Sequence, residues 1–344
     1  MKKSLLQLNP TRILIRSTNW IGDAVMTLPA VRTIRSNFTE ARISILAQPW
    51  VADLFNASPQ VDDVILYHKK TRHKGIKGLF LLARELRKYR FEMAILLQNA
   101  FEAALLARLA GIPAVAGFSR DGRRLLLSHA ARISKEIRKK HQVYYYQDLL
   151  RQLGLACGPN TLYLDLHEGV RTTARTMAAQ FTKPLIGFNP GASYGPAKRW
   201  PQEKYAALAK RLKEEVSGTI LVFGTDADGQ AAAAIGKEAA NVIDLTGKTQ
   251  LAAAMALIEC CDVFVTNDSG LMHVAAAAGT PLVAIFGSTD AVATGPFSKK
   301  AVVIQKELPC IPCLKPECSR DFRCMDDIAV EDVIAAVKSL LIKP

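Results

Sequence analysis

The feature that most limits the fold is an alternation of short apolar runs with segments of helical spacing. In the first half of the chain, "RISILA" (42–47) is typical of a strand and "GLFLLARELRKY" (78–89) of an amphipathic helix. Such alternation predicts a parallel sheet with helices on both faces. The other segments of this series are the strand-like 12–17, 63–67 and 92–98 and the helical 100–111.

The pattern loosens at 157–184 and then restarts, which predicts two domains in the 344 residues, at 1–165 and 166–344. The second series of strand-like runs is "PLIGFNPG", "GTILVFG", "NVIDLTG", "DVFVTNDSG" and "TPLVAIFGS". A last amphipathic helix is predicted at 330–341, and whether it packs back on the N-terminal domain is left open. We expect an α/β protein with two doubly wound halves facing each other across a cleft, and ligands beyond the carboxyl ends of the strands.

The net charge of +14 lies entirely in the first domain. Residues 1–165 hold 26 Lys and Arg against 12 Asp and Glu, whereas residues 166–344 hold 19 of each. One basic cluster is usually a solvated surface, but the asymmetry favours an anionic partner: a membrane surface, a phosphorylated substrate or nucleic acid. No apolar run reaches the roughly 18 residues of a membrane span, and "MKKSLLQLNPTR" lacks the apolar run of an export signal. We therefore expect a cytoplasmic protein with mostly reduced cysteines.

The first strand-to-helix turn carries an acid where a nucleotide-binding fold carries glycines. "RSTNWIGDAVMTLPAVR" (16–32) has a single glycine, Gly22, followed by Asp23. A G-x-G-x-x-G turn would bind a diphosphate, which a carboxylate repels. Composition and spacing alone leave the role of Asp23 open.

Two loops of the second domain carry groups that suit a nucleotide. "NPGASYGPAKRWP" (189–201) places Lys198 after a glycine-rich loop, which fits a phosphate site as well as an ordinary loop with a solvated Lys–Arg pair. We expect Pro201 at the first helical position. "FGTDADG" (223–229) places Asp226 and Asp228 after a strand. An acid there commonly binds ribose hydroxyls, whereas D-x-D would hold Mg²⁺ on a nucleotide sugar.

A third strand end, in "VTNDSGLMHVAAAAGTP" (265–281), carries several polar residues. Asp268 is expected at or near the N-cap of a helix over 269–278. Taken singly, Asp268 would be a cap and His273 a core histidine. Together they surround a helix N-terminus where the N–H groups of Ser269 and Gly270 suit a diphosphate.

Four cysteines near the C-terminus have the spacing C-x₂-C-x₄-C-x₅-C. Structural zinc sites usually separate their two cysteine pairs more widely. Zinc binding, reduced thiols and a local disulfide formed after isolation therefore all remain open. The residues are Cys310, Cys313, Cys318 and Cys324.

Four segments, in the same order along the chain, resemble the bacterial ADP-heptose:lipopolysaccharide heptosyltransferases. They are "RSTNWIGDAVMTLPAVR", "NPGASYGPAKRWP", "NDSGLMHVAAAAGTPLVAIFGSTD" and the late "CIPC…C…C". The resemblance extends over nearly the whole chain. Within the family, "STNWIGD" and "GPAKRWP" are most similar to the members that add the second heptose of the inner core.

The resemblance implies the GT-B fold, in which two Rossmann-like domains hold the acceptor on the N-terminal side and the sugar nucleotide on the C-terminal side. It implies an inverting transfer of L-glycero-D-manno-heptose from ADP-heptose to heptosyl-Kdo₂-lipid A. That acceptor is anionic and lies in the cytoplasmic leaflet of the inner membrane. The implied location is therefore peripheral on that face, with the basic half serving acceptor and membrane. No metal, cofactor or nucleic acid partner is implied.

Residue roles follow from the resemblance by motif. Asp23 matches the general base of the family, which takes the proton of the acceptor hydroxyl and accounts for an acid at the first turn. Lys198 matches the lysine that faces the diphosphate. The other implied donor contacts are Ser193 at the phosphates, Asp228 on the ribose, Thr249 at the nucleotide pocket, and Asp268, Ser269, Gly270 and His273 around the heptose and phosphate.

Two further function classes remain as alternatives. A nucleic-acid-binding protein would share the charge, but its basic residues should interleave with exposed aromatics, and no such pattern is visible. A nucleotide-sugar epimerase of similar two-domain build would need no lipid acceptor. Within the family, enzymes that act on other core acceptors are the nearer alternative.

Overall fold

The computed structural model describes residues 4–342, and the chain divides into two compact units between Thr161 and Leu162. Unit 1 alternates strands and helices. Its strands are β1 (Arg12–Arg16), β2 (Arg42–Ala47), β3 (Asp63–Leu66), β4 (Met93–Leu96), β5 (Ala114–Phe118) and β6 (His129–Ala131). Its helices are α1 (Ile21–Met26), α2 (Leu28–Asn37), α3 (Pro49–Asn56), α4 (Gly75–Arg87), α5 (Phe101–Leu109) and α6 (Gln142–Gln152).

Unit 2 repeats the alternation. Its strands are β7 (Leu185–Asn189), β8 (Thr219–Val222), β9 (Val242–Asp244), β10 (Val263–Asn267), β11 (Leu282–Phe286) and β12 (Ala301–Gln305). Its helices are α7 (Glu168–Ala178), α8 (Gln202–Glu215), α9 (Gly229–Glu238), α10 (Leu251–Glu259), α11 (Gly270–Ala278), α12 (Ala291–Thr294), α13 (Arg323–Asp326) and α14 (Val330–Leu341). Short 3₁₀ turns at Pro196–Lys198 and Asp226–Asp228 matter for the site.

Each unit contains one six-stranded parallel sheet, and both sheets have the same topology. The orders are β3-β2-β1-β4-β5-β6 and β12-β11-β10-β7-β8-β9. In both, the first strand of the unit lies at the centre beside the fourth, which is the doubly wound arrangement. The predicted α/β architecture with two doubly wound sheets is confirmed.

The central strands are apolar along their length because helices cover both faces of each sheet. Strands β4, β7, β10 and β11 are buried at every position, whereas the edge strand β12 is only partly buried. The sequence pattern predicted the central strands and did not predict β5, β6 or β12. Small residues in β5 and β6 and partial exposure of β12 weaken the apolar signal there.

The helix that closes the chain is confirmed, whereas one predicted helix start is wrong. Helix α14 packs on α8 and on strands β10 and β11 of unit 2, with Val333 and Val337 buried. Pro201 has extended geometry, with φ −52° and ψ 135°, and caps α8, which begins at Gln202. Among residues 4–342, no helix is both long and apolar enough to cross a membrane.

Candidate active site

The candidate residues follow the strands at which the strand order of each sheet reverses. The order reverses between β1 and β4 in unit 1 and between β7 and β10 in unit 2. Ligands of doubly wound folds bind beyond the carboxyl ends of the strands at such points. Asp23 follows β1, Lys198 follows β7 and Asp268 follows β10 directly.

Lys198 and Asp268 form an ion pair at the centre of the site in unit 2. The Lys198 Nζ lies 2.6 Å from the Asp268 Oδ2, and the two side chains are only 14% and 4% exposed. The Thr289 hydroxyl donates a hydrogen bond of 2.5 Å to the same carboxylate oxygen. Nζ also lies 4.8 Å from the centroid of the Tyr194 ring. One largely desolvated cation is thereby fixed at the end of β10.

The helix that follows Asp268 begins one residue later than the sequence indicates. Ser269 is the N-cap of α11 and Asp268 directly precedes it, so Asp268 lies near the cap as expected, whereas the helix starts at Gly270 and not at Ser269. The backbone N–H of Asp268 still donates to Ile285 O of β11, and its carboxylate is held by Lys198. Ser269 Oγ donates to Asn189 Oδ1 (2.6 Å) and does not cap the helix. The first N–H groups of α11 therefore have no side-chain cap and can receive an anion.

The remaining predicted residues of this helix lie at its start. Gly270 is the first helical residue and is partly exposed, so a ligand can approach the backbone closely there. His273 lies one turn further along and is buried, at 4% exposure.

Two asparagine side chains brace the strand ends around this helix start. Asn189 donates to Phe223 O (3.1 Å), which joins the ends of β7 and β8. Asn267 donates to Pro190 O (2.7 Å) and accepts from the N–H of Trp200 (3.1 Å). Neither of these positioning residues was predicted from the sequence, although an asparagine ends both apolar runs.

The loop that carries Lys198 is held by the cysteine-containing segment near the C-terminus. Ala197 N–H donates to Pro316 O (3.0 Å), and the Tyr194 hydroxyl donates to Leu314 O (2.6 Å). Gly195 has φ +152°, and a Cβ there would lie 2.3 Å from Pro316 O. Only glycine fits this approach. Ser193 precedes this contact and is exposed to solvent.

Asp228 lies against the loops that follow β7 and β8. Its Oδ2 accepts hydrogen bonds from the backbone N–H (2.8 Å) and the hydroxyl (2.9 Å) of Thr225. A Cβ on Gly191 would lie 2.5 Å from Oδ1, and one on Gly224 would lie 2.8 Å from Oδ2. The two glycines thus make room for the carboxylate at the carboxyl-end edge of the sheet.

The Asp226 carboxylate faces a different loop from the Asp228 carboxylate. A Cβ on Gly247 would lie 1.8 Å from Asp226 Oδ1, so this carboxylate faces the loop after β9, whereas Asp228 faces Gly191 and Gly224. Within residues 4–342, no group of three His, Cys, Asp or Glu side chains is arranged to hold a metal ion. Thr249 lies half-buried in the loop between β9 and α10.

The four late cysteines are free thiols in different environments. Cys310 is exposed, Cys313 and Cys318 are intermediate, and Cys324 is buried. Burial, and then the nearby thiols of the other three, raise the pKa of Cys324 to about 11. The backbone N–H of Arg320 donates to Cys318 Sγ (3.4 Å).

In unit 1, Asp23 lies in the first turn of α1, just beyond β1. The side chain is partly buried, and α1 packs on α6. Burial raises the pKa of Tyr146 on α6 well above its usual value, and the negative charge of Asp23 adds to that shift. The carboxylate therefore lies at the switch-point edge of the first sheet.

The same unit contains a polar cluster that the sequence did not reveal. Arg16, at the end of β1, is buried, and burial lowers its pKa to about 10. Its guanidinium lies 5.3 Å from the centroid of the Tyr67 ring. The Tyr67 hydroxyl donates to Glu102 (2.7 Å), which also pairs with Lys69 (2.9 Å). Tyr67, Lys69 and Glu102, with Ile76, line a cavity of about 250 Å³.

Comparison with known proteins gives the family of this fold and site. The profile of glycosyltransferase family 9 (heptosyltransferase) matches residues 79–322. The chain is 35% identical over 306 residues to lipopolysaccharide heptosyltransferase 2 of Escherichia coli K12, covering 86% of this chain and 88% of that one. It is 25% identical over 339 residues to lipopolysaccharide heptosyltransferase 3 of the same strain, covering 93% and 95%.

The structural comparison agrees with the sequence comparison. The structure of E. coli ADP-heptose LPS heptosyltransferase II superposes with a TM-score of 0.80 at 32% identity, covering 96% of this chain and 98% of that one. The two doubly wound units are therefore those of the GT-B fold.

Proposed function

The chain belongs to glycosyltransferase family 9, and we propose that it transfers L-glycero-D-manno-heptose from ADP-heptose to the first heptose of heptosyl-Kdo₂-lipid A. It is a glycosyltransferase of lipopolysaccharide core assembly. The second-heptose step is supported by the higher identity to heptosyltransferase 2 than to heptosyltransferase 3, 35% against 25%. The observation that carries the donor assignment is the Lys198–Asp268 pair at the start of α11.

We assign the general base to Asp23. An inverting transfer needs one displacement: the acceptor hydroxyl oxygen bonds to the anomeric carbon, and the bond from that carbon to the diphosphate oxygen breaks. The hydroxyl proton passes to the Asp23 carboxylate, and ADP leaves. The position of Asp23 in the first turn after β1, at the switch point of its sheet, supports this role.

We assign the diphosphate to Lys198 and the start of α11. Negative charge grows on the ADP oxygen as the bond breaks, and a desolvated ammonium stabilises such charge. The first N–H groups of α11, which no side chain caps, and the positive end of the helix dipole act in the same direction. Ser193, Ser269 and Gly270 complete the phosphate contacts in this proposal.

The remaining assignments concern the sugar and the nucleoside. Asp228 binds the adenosine ribose, since one oxygen is held by Thr225 and the carboxylate lies at the sheet edge. Asp268 and His273 lie beside the heptose. Thr249 lines the nucleotide pocket.

We place the enzyme on the cytoplasmic face of the inner membrane as a peripheral protein. Its acceptor is an anionic lipid, and the excess of basic over acidic residues lies in residues 1–165. Unit 1 would therefore bind the acceptor and the anionic membrane surface, while unit 2 binds ADP-heptose.

The test is mass spectrometry of the core oligosaccharide from a deletion strain. We expect the core to end after the first heptose and to regain the second heptose when the intact gene returns, but not when an Asp23→Asn copy does. A core with both inner heptoses would contradict the second-heptose assignment.

An acceptor panel separates the steps within the family in vitro. With ADP-heptose as donor, we expect transfer to heptosyl-Kdo₂-lipid A and none to Kdo₂-lipid A. Transfer to Kdo₂-lipid A would indicate the first step. Conversion of the nucleotide sugar without any acceptor would indicate an epimerase.

A further inference from the structure

Helix α4 of unit 1 has an apolar face that is exposed. Ile76 is 77% exposed, Phe80 55% and Leu81 38%. Ile76 and Phe80 are one turn apart and share a face. The opposite face of the helix is buried in the unit through Leu79, Leu82 and Leu86. The exposed apolar residues are therefore additional to those that fold the helix.

The surroundings of this apolar face are strongly basic. Residues 68–90 contain nine Lys and Arg and a single acid, Glu85. Glu85 is already paired with Arg72 and contacts the buried His73 (3.2 Å). Lys74, Lys77 and Arg84 are exposed, and within residues 4–342 none of the three makes an ion pair. This surface thus combines apolar side chains with uncompensated positive charge.

That combination matches an anionic lipid bilayer. Aliphatic and aromatic side chains on a basic helix face enter the boundary between headgroups and acyl chains, while the ammonium and guanidinium groups stay at the lipid phosphates. A nucleic acid would match the charge but not the exposed isoleucine. A second copy of this chain would present the same positive charge and be repelled.

We propose that the face of α4 from its N-cap Lys74 to Arg84 is the surface by which the enzyme docks on the bilayer. Ile76 and Phe80 are inserted, and Lys74, Lys77 and Arg84 lie at the lipid phosphates. This deepens the proposed function, because it rests on an acceptor that is a membrane lipid. Helix α4 follows β3 and starts at the carboxyl-end edge of the sheet, the edge that also carries Asp23. Ile76 also lines the cavity with Lys69 and Glu102, so docking brings lipid headgroups to that cavity.

The experiment measures sedimentation of the full chain with vesicles of phosphatidylcholine alone or with phosphatidylglycerol added, at low and high salt. We expect the double variant I76S/F80S to bind anionic vesicles about tenfold more weakly or worse, because each buried methylene contributes to insertion. The loss should persist at high salt, where the charge contribution is screened. Val292→Ser is the matched control, since Val292 is 69% exposed on unit 2.

Transfer assays separate this surface from the active site. We expect I76S/F80S to lose activity on acceptor embedded in vesicles and to keep wild-type kcat on a lipid-free heptosyl-Kdo acceptor. A melting temperature equal to that of the wild type would show that the double variant is folded. Wild-type binding of I76S/F80S to anionic vesicles overturns the proposal, as does equal binding of the wild type to neutral vesicles. The proposal is also overturned if the wild type forms a dimer and does not bind vesicles, and if I76S/F80S is monomeric. If the wild type transfers heptose to neither acceptor, the proposed function fails while the vesicle result still stands.

Discussion

The Lys198 ammonium lies 2.6 Å from the Asp268 carboxylate, and the pair joins the loop after β7 to the end of β10. Both side chains are largely removed from water, so water screens the attraction between them little, and this attraction opposes the cost of burying two charges. In the proposed reaction the leaving diphosphate competes with Asp268 for the same ammonium. The pair then has a structural role in the free enzyme and a catalytic role in the complex.

We predict that Lys198→Met reduces kcat by about 10²–10³-fold, because it removes the cation that is proposed to stabilise the leaving group. The variant should also lose about 3 kcal/mol of unfolding free energy, since it leaves the Asp268 carboxylate buried without its cation. Turnover with ADP-heptose and chemical denaturation measure the two effects.

The double variant K198M/D268N separates the effect on turnover from the effect on stability. It has no buried unpaired charge, so we expect most of the stability to return while turnover stays as low as in Lys198→Met. Recovery of turnover together with stability would assign Lys198 a structural role alone.

The general-base assignment is tested by Asp23→Asn. The change keeps the shape of the side chain and removes its basicity, so we expect turnover to fall ~10²–10⁴-fold. ADP-heptose affinity should be nearly unchanged in calorimetric titrations, because the proposed donor contacts lie in unit 2. A variant that turns over at the wild-type rate would eliminate Asp23 from the mechanism.

The sequence was informative about the fold because parallel strands covered on both faces are continuous apolar runs. The runs at 93–96 and 282–286 contain only apolar residues, and both are strands. It was less informative about helix starts. Ser269 is the N-cap because the backbone N–H of Asp268 still donates to a carbonyl of β11. That hydrogen bond is a tertiary contact, which the local sequence does not indicate.

The site was predictable where a motif carried it and not where side chains meet across the sheet. Asn189 and Ser269 are 80 residues apart, and only folding brings the amide and the hydroxyl to 2.6 Å. The same is true of Tyr67 and Glu102 in unit 1, which no periodic pattern links. The asparagines at the ends of the apolar runs were the available signal for the contacts in unit 2.

Gly191→Ala tests the ribose role of Asp228. A Cβ at Gly191 would lie 2.5 Å from the Asp228 carboxylate and must displace it. We expect KM for ADP-heptose to rise about tenfold, the equivalent of one weakened charge-assisted hydrogen bond. Gly236→Ala is the matched control, because a Cβ there meets nothing within 4 Å on helix α9. Equal KM values for ADP-heptose in the two variants would show that Asp228 does not contribute to donor binding.

The charge asymmetry predicts that basic residues of unit 1 serve the acceptor and not the donor. Lys69 and Arg72 are engaged by Glu102 and Glu85, so the test replaces the other basic residues of 69–77 with glutamine. These are Lys70, Lys74 and Lys77. Each basic residue near an anionic surface contributes about 1 kcal/mol, so KM for vesicle-embedded acceptor should rise steeply at low salt and less at moderate salt. An altered donor KM, or an acceptor KM equal to that of the wild type at both salt concentrations, would contradict this prediction.

We predict that EDTA leaves turnover unchanged. In the proposed reaction, Lys198 and the uncapped N–H groups of α11 offer positive charge to the leaving diphosphate. The carboxylates of Asp226 and Asp228 face different loops, so they do not form a joint cation site. Activity that EDTA removes and Mg²⁺ or Mn²⁺ restores would contradict this.

Zinc bound to the late cysteines would give a different response to chelation. Their segment supports the loop of Lys198 through the bond from Ala197 N–H to Pro316 O, so zinc bound there would act on folding. Chelation would then unfold unit 2 slowly, and activity would return with Zn²⁺ and not with Mg²⁺.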